Sequence, residues 1–266
     1  MSIHPTAVVS PKAEIGSEVE IGPYATIGDD VKLGPGNVIH QHVTITGHTS
    51  IGSGNAIFPG TIIGTQPQDL KFHGEVSYLE IGDNNTFREY VTVNLGTEAG
   101  GRVTRIGSSN LIMAYCHIAH DCLLEDHTIL ANVATLGGHV TVEQGAVFGG
   151  MVGVHHFVTI GQYAFLGGMS RVNQDVPPFM LVEGNPARVR GVNQVGLKRN
   201  GISEDRIEAI LQAYRKLYKS ECPMASAMKE IESADYYTKD VKTIIQFIRA
   251  SEKGKYGRAL ESERSG

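Results

Sequence analysis

Two residues eighteen positions apart, His120 and Gly138, offer the pair of functions that acyl transfer needs. An imidazole, with an unperturbed pKa of about 6.5, can take a proton from an attacking alcohol at neutral pH. A glycine amide, with no side chain in front of it, can donate to the oxygen that turns negative when a thioester carbonyl is attacked. His156 lies a further eighteen residues on, and His117, His127, His139 and His155 fall in the same region. No serine, histidine and aspartate in nucleophile order is evident and no cysteine reads as an exposed nucleophile. Direct transfer between two bound substrates is therefore expected over a covalent enzyme intermediate. Imidazole is also a common zinc ligand, so metal binding by these histidines stays open at this point.

The spacing of eighteen takes its meaning from a period of six. From Ile3 every sixth residue is aliphatic: Val9, Ile15, Ile21, Ile27, Leu33, Ile39, Ile45, Ile51, Ile57 and Ile63. A second block runs Ile106, Ile112, Ile118, Leu124, Leu130, Leu136, Val142, Phe148, Val154, Ile160, Leu166 and Val172, and shorter hexads at Ile81, Phe87 and Val93 lie between the two. An α-helix cannot keep one face buried at this period, whereas short strands that turn a corner every six residues can. Three such strands close a triangular coil. Eighteen residues then return the chain to the same edge, one strand spacing of about 4.8 Å along. His120, Gly138 and His156 accordingly stand in one column of a prism of roughly eight or nine coils, about 40 Å long.

Two segments break the register, near residues 64–80 and 94–105. The first carries the polar run from Thr65 to Gly74, and the second carries Gly96, Gly100 and Gly101. Interruptions of a regular solenoid favour function; the first is read that way, the second as either functional or a plain surface excursion. Past Val172, Val176-Pro177-Pro178-Phe179 and Gly184-Asn185-Pro186 mark turns. Ser203 reads as a helix N-cap, followed by Ile207, Ile210, Leu211, Tyr214 and Leu217 at helical spacing. Pro223 opens a segment with Met224 and Met228, and Val241, Ile244, Ile245 and Ile248 outline a last helix. The expected division is a β-prism over 1–190 and a helical domain over 191–266, with residues 253–266 frayed.

Composition narrows the partners. With 266 residues and a net charge of −5, nucleic acid is not an expected partner, although Arg188, Arg190, Lys198 and Arg199 form a local basic cluster. That cluster is either solvated surface or an anchor for phosphates or an acidic carrier protein. Three cysteines, an odd and small number, argue against a disulfide framework; Cys116 and Cys122, six apart, read as small inward residues. No apolar run reaches membrane-spanning length, and the N-terminus lacks the layout of a secretory signal, so a cytoplasmic location is the default.

Five stretches, in order on the hexad framework, carry a resemblance: Gln68-Asp69-Leu70-Lys71, His117-Ile118-Ala119-His120-Asp121-Cys122, Gly138-His139-Val140, Gln174-Asp175-Val176-Pro177-Pro178 and Gly196-Leu197-Lys198-Arg199. Together they resemble the acyl-carrier-protein–UDP-N-acetylglucosamine O-acyltransferase family, which begins lipid A synthesis, over nearly the whole chain. The resemblance implies a mainly β protein: a left-handed parallel β-helix followed by a C-terminal α-helical domain, assembled as a homotrimer with sites between neighbouring subunits. It implies transfer of an (R)-3-hydroxyacyl group from acyl carrier protein to the 3-hydroxyl of UDP-N-acetylglucosamine, with no cofactor or resident metal. His120 matches the family's general base, Asp121 the acid that orients it and Gly138 the oxyanion amide. Asp69, Lys71, His117 and His139 match residues around the sugar or acyl group; Gln68, Asn193 and Arg199 match residues near the nucleotide. Gly168 matches a position that limits acyl length, where glycine leaves room for a longer chain.

Several departures bear on the acceptor. Val195 and Asn200 replace a common glutamate and arginine of the nucleotide region, and His156 replaces a frequent glutamine beside the acceptor. Asn94-Leu95-Gly96 stands in place of a usual histidine-arginine-glycine, which leaves the 3-amino analogue of the sugar open. A sister N-acyltransferase is disfavoured because hexads begin at Ile3. The remaining rivals are a coenzyme A-dependent sugar acetyltransferase, a zinc hydratase of the carbonic anhydrase type and a non-catalytic trimeric scaffold.

Overall fold

Each hexad folds as one short strand and one corner, and the inward residue of each strand is the aliphatic of the six-residue ladder. In the computed structural model, which describes residues 1–263, Ile39, Ile57, Phe87, Ile112, Ile118, Leu136 and Leu166 are almost wholly buried along the prism axis. Three sheets of eleven, nine and eight strands form its faces. The register on the second face, Ile118 to Leu136 to Val154 to Val172, advances by eighteen at each step. The first face contains ten parallel strands from Ser2–Ile3 to Met180–Gly184 and is closed by the antiparallel strand Ala187–Val192. Ten, nine and eight parallel strands on the three faces amount to nine coils, within the eight or nine expected, and the hexads around Ile81 to Val93 belong to the same stack.

The corners explain which backbone groups remain available. At most corners the third residue after the inward aliphatic takes a left-handed conformation, as at Tyr24, His42, Asp121, His139 and Phe157. The residue before it leaves its N–H outside the ladder, and the chain places Pro5, Pro11, Pro23, Pro35 and Pro59 at that position, where a missing donor costs nothing. Inside the corners small residues such as Ala25, Val43, Cys116, Cys122 and Ala134 are buried. At one corner asparagines do the same job: Asn55 donates its N–H and Nδ2 to Asn37 Oδ1 (2.8 and 3.0 Å), and Asn85 repeats this on Asn55. The thiols of Cys116 and Cys122 donate to backbone carbonyls, and burial pushes them up to about 11 and about 12, which leaves them inert at neutral pH.

The two breaks are loops on the second-to-third-face edge. One leads from Ile62–Thr65 to Tyr78–Ile81; the other leads from Thr92–Asn94 to Val103–Ile106 through a single 3-10 turn, Glu98–Gly100. After the prism come four helices: α1 (Gln194–Arg199), α2 (Glu204–Tyr218), α3 (Met224–Glu232) and α4 (Lys239–Lys253). They pack around Ile207, Ile210, Leu217, Met228, Ile231, Val241, Ile244 and Ile245, a core separate from that of the prism. Helix α1 has too few apolar residues for periodicity to find it. Ser203 does precede α2 with extended backbone, but its hydroxyl caps nothing; Glu204 and Asp205 supply the favourable first-turn charge instead.

The expectation of a frayed end fails for residues 254–263. Arg258 Nη1 donates to Asn173 O (2.8 Å) and Ala259 N–H to Asp175 Oδ2 (2.8 Å), so the segment is tied to the last coil, with Arg258 and Glu261 buried against each other. For residues 264–266 the expectation lies outside the described residues. Among the described residues no helix is long and apolar enough to cross a membrane.

Candidate active site

One edge of the prism gathers most of the reactive side chains. His120 follows the strand His117–Ile118, and Asp121 is the left-handed corner residue after it. The Asp121 side chain is only 1% exposed, and its N–H is held by Thr104 Oγ1 at 2.8 Å. From there Oδ2 meets His120 Nδ1 at 2.8 Å. A carboxylate can only accept, so Nδ1 carries the hydrogen and Nε2 is left with its lone pair. That Nε2 stands 3.8 Å from Oδ2 of Asp69, on the first loop, in a pocket where the His120 ring remains 13% exposed.

One coil further, Gly138 faces the same ring: a Cβ there would lie 2.6 Å from His120 Nε2 and closer still to Cε1. Gly138 occupies the corner position at which other coils place proline, and its N–H is donated to no backbone carbonyl among the described residues. His139, the next residue, sets its ring edge-on to His120 with centroids 5.1 Å apart and stacks on Phe157 at 4.3 Å. His139 Nε2 is 3.7 Å from Asp121 Oδ2. The His120, Gly138 and His156 column expected from counting is thus present, with His156 packed beside His155 and at right angles to Phe157.

His117 points from the strand itself and pairs its Nδ1 with Thr92 Oγ1 at 2.8 Å. Burial, and then the neighbouring His120, holds this imidazole below its ordinary value. Asp69 divides its carboxylate: Oδ1 accepts from Lys71 N–H at 2.9 Å while Oδ2 faces His120. Gln68 and Lys71 are exposed on the same loop, and an open cleft of about 580 Å³ runs from Asp69 and Lys71 to Thr97 and Glu98 of the second loop. Asn94, buried at the root of the second loop, ties the two together by donating Nδ2 to Thr65 Oγ1 and Gln66 O (3.0 and 3.1 Å).

Three expected site residues lie elsewhere. Gly168 sits on the edge between the first and second faces, against the backbone of Gly150, whereas His120 is on the edge between the second and third. Asn193 is the N-cap of α1, with Oδ1 accepting from Gly196 N–H and Nδ2 donating to Tyr163 O. Arg199 is exposed in the last turn of that helix. Of the basic cluster, Arg190 faces Glu183 at 3.8 Å and Lys198 faces Glu204 at 3.3 Å.

His120, Asp121 and His139 present ligand atoms within 4.8 Å of one another, a set able to hold a metal ion. Three of the four lone-pair sites of the Asp121 carboxylate already accept hydrogen bonds, which leaves one for a cation. The arrangement suits proton transfer better. Counting along the hexads missed the groups around Asp121, above all Thr97, because they lie in an insertion whose register no repeat fixes.

A triangular prism of hexads bearing this edge has the architecture of a hexapeptide-repeat acyltransferase. A bacterial transferase hexapeptide model matches residues 12–47, and one for UDP N-acetylglucosamine O-acyltransferase, domain 2, matches residues 175–256. An acyl-carrier-protein–UDP-N-acetylglucosamine O-acyltransferase of Synechocystis is 50% identical over 230 residues, 86% of this chain and 83% of that one. One of Verminephrobacter eiseniae is 48% identical over 95% of this chain and 98% of its own. The LpxA structure from Acinetobacter baumannii superposes with a TM-score of 0.88 at 40% identity, covering 92% of this chain and 96% of that one. The chain belongs to the acyl-carrier-protein–UDP-N-acetylglucosamine O-acyltransferase family.

Proposed function

We propose that this protein transfers an (R)-3-hydroxyacyl group from acyl carrier protein to the 3-hydroxyl of UDP-N-acetylglucosamine, the first step of lipid A synthesis, with His120 as general base. The observation that carries this reading is the orientation of one ring: His120 Nδ1 on Asp121, Nε2 turned toward the Asp69 loop, and Gly138 against the ring face. Nε2 accepts the hydroxyl proton as the sugar oxygen bonds to the thioester carbonyl carbon. The carbonyl oxygen, now negative, takes a hydrogen bond from the Gly138 N–H. The intermediate collapses with cleavage of the carbon–sulfur bond, and the imidazolium returns its proton to the departing carrier thiolate. Asp121 accepts from Nδ1–H throughout and supports the charge on the ring.

Placement of Gly168 and His120 on different edges supports a homotrimer in which the Gly168 edge of one copy faces the His120 edge of the next. In that assembly the acyl chain runs past Gly168, and Asn193 and Arg199 lie toward the nucleotide. Asp69, Lys71, Gln68, His117, His139 and His156 then surround the acceptor and acyl group, in a cytoplasmic enzyme. Mass analysis of products from UDP-N-acetylglucosamine and its 3-amino analogue, each offered hydroxyacyl carrier proteins of several lengths, tests the reading. An O-acylated sugar nucleotide is expected; N-acylation alone would move the assignment to the amino acceptor, and no product from either would overturn it. Metal analysis separates the hydratase: stoichiometric zinc lost on His120→Ala would contradict the base.

A further inference from the structure

The second loop is built around the Asp121 carboxylate. Thr97 stands at the N-cap position of the Glu98–Gly100 turn, with extended backbone (φ −121°, ψ 161°), where a threonine hydroxyl ordinarily caps the turn it precedes. Here the hydroxyl caps nothing. It donates to Asp121 Oδ2 at 2.6 Å, while the Thr97 N–H donates to Oδ1 at 2.8 Å. Both oxygens are thus gripped by one residue that is itself only 4% exposed. The Thr97 carbonyl in turn accepts from Gly100 N–H and Arg102 N–H, which closes the loop on itself. A Cβ on Gly100 would overlap the Asp121 carboxylate, so that position has room for glycine alone.

The grip matters because Asp121 has a choice of partner. Its Oδ2 lies 2.8 Å from His120 Nδ1 and 3.7 Å from His139 Nε2, and the two rings are edge-on neighbours. A carboxylate free to rotate about its Cβ–Cγ bond would divide itself between them. Two donors on fixed lines leave one rotation, in which Oδ2 accepts from His120.

We infer that Thr97 is a positioning residue for the acyl transfer: its two-point hold on Asp121 commits the carboxylate to His120 rather than His139 and so keeps the lone pair on His120 Nε2. The inference rests on the reading of His120 as base. It makes the 95–102 insertion part of the machinery, although its residues need touch neither substrate.

The test compares Thr97→Val, which keeps the N–H and the shape but loses the hydroxyl, with Thr97→Ser and with His120→Ala. Thr97→Val is expected to lower kcat about ten- to hundredfold, the size associated with loss of one charge-assisted hydrogen bond, with KM changed less than about threefold. Thr97→Ser is expected to restore kcat to within about threefold of the parent. Proton–nitrogen correlation spectra of histidine-labelled protein are expected to show His120 as the Nδ1–H tautomer in the parent and in Thr97→Ser, and as a mixture in Thr97→Val. A wild-type kcat and unchanged tautomer in a folded Thr97→Val protein, beside an inactive His120→Ala, would overturn the inference alone. A fully active His120→Ala would instead remove the reading on which it rests. Should Thr97→Val unfold, failure of the soluble Thr97→Ser protein to keep both kcat and tautomer would equally count against it.

Discussion

Gly138 leaves no space for a side chain against His120: a Cβ at the glycine would stand 2.6 Å from Nε2, well inside van der Waals contact. Gly138→Ala must therefore either push the imidazole off Asp121 or shift the corner that aims the amide. Both would degrade the same chemistry. The expected result is a fall in kcat of about two to three orders of magnitude, comparable to removing an oxyanion donor, with the thermal midpoint changed little. Steady-state kinetics with a circular dichroism melt check it, and near-parental kcat would speak against an oxyanion role.

Acyl-chain selection should move with Gly168. A Cβ there meets Gly150 O at 3.3 Å, so alanine needs only a small adjustment while a longer side chain must project from the edge. Gly168→Met is expected to favour hydroxyacyl carriers several carbons shorter than the parent prefers, with total activity on the short chain retained. Competition between carriers of different length reads this directly. An unchanged preference would place the acyl chain elsewhere.

Much of this architecture was legible because hexads are local. Ile118, Leu136 and Val154 declare a strand every six residues, and each further coil repeats the same packing, so counting by eighteen brings His120 onto Gly138 without any knowledge of long-range contacts. The same arithmetic stops where the register stops. Thr97, Gly100 and Asp69 reach the site from insertions whose length sets no phase, and only resemblance pointed to Asp69. The asparagine stack from Asn37 to Asn85 is not legible in the sequence because polar residues at inward positions resemble loop composition, although their amides satisfy one another. The tail hides its contacts for a related reason: Lys253 onward looks solvent-directed, yet Arg258 finds Glu261 and the Asn173 carbonyl.

Stability should depend on pH through Glu143. Burial, more than the nearby Glu125 and Asp175, holds its carboxyl above the ordinary value of 4.5, while Gln162 N–H pulls the other way at 2.8 Å. A raised acid binds its proton more tightly in the folded protein than in the unfolded one. Its contribution is therefore favourable below the ordinary carboxylate range and is lost as pH rises through the folded value. Glu143→Gln keeps an acceptor for Gln162 and removes the charge, so its melting temperature should exceed the parent's at pH 7 and converge with it near pH 4. A lower midpoint at pH 7 would contradict the assignment.

The most direct test of the central claim is the turnover of His120→Ala with UDP-N-acetylglucosamine and an (R)-3-hydroxyacyl carrier protein at saturating concentrations. The ring lines the pocket without contributing to the buried core, so the variant should keep the parent's assembly state and melting profile. The account predicts a kcat lower by about two to four orders of magnitude, the usual contribution of a general base. A folded variant whose kcat falls by less than about threefold would contradict it.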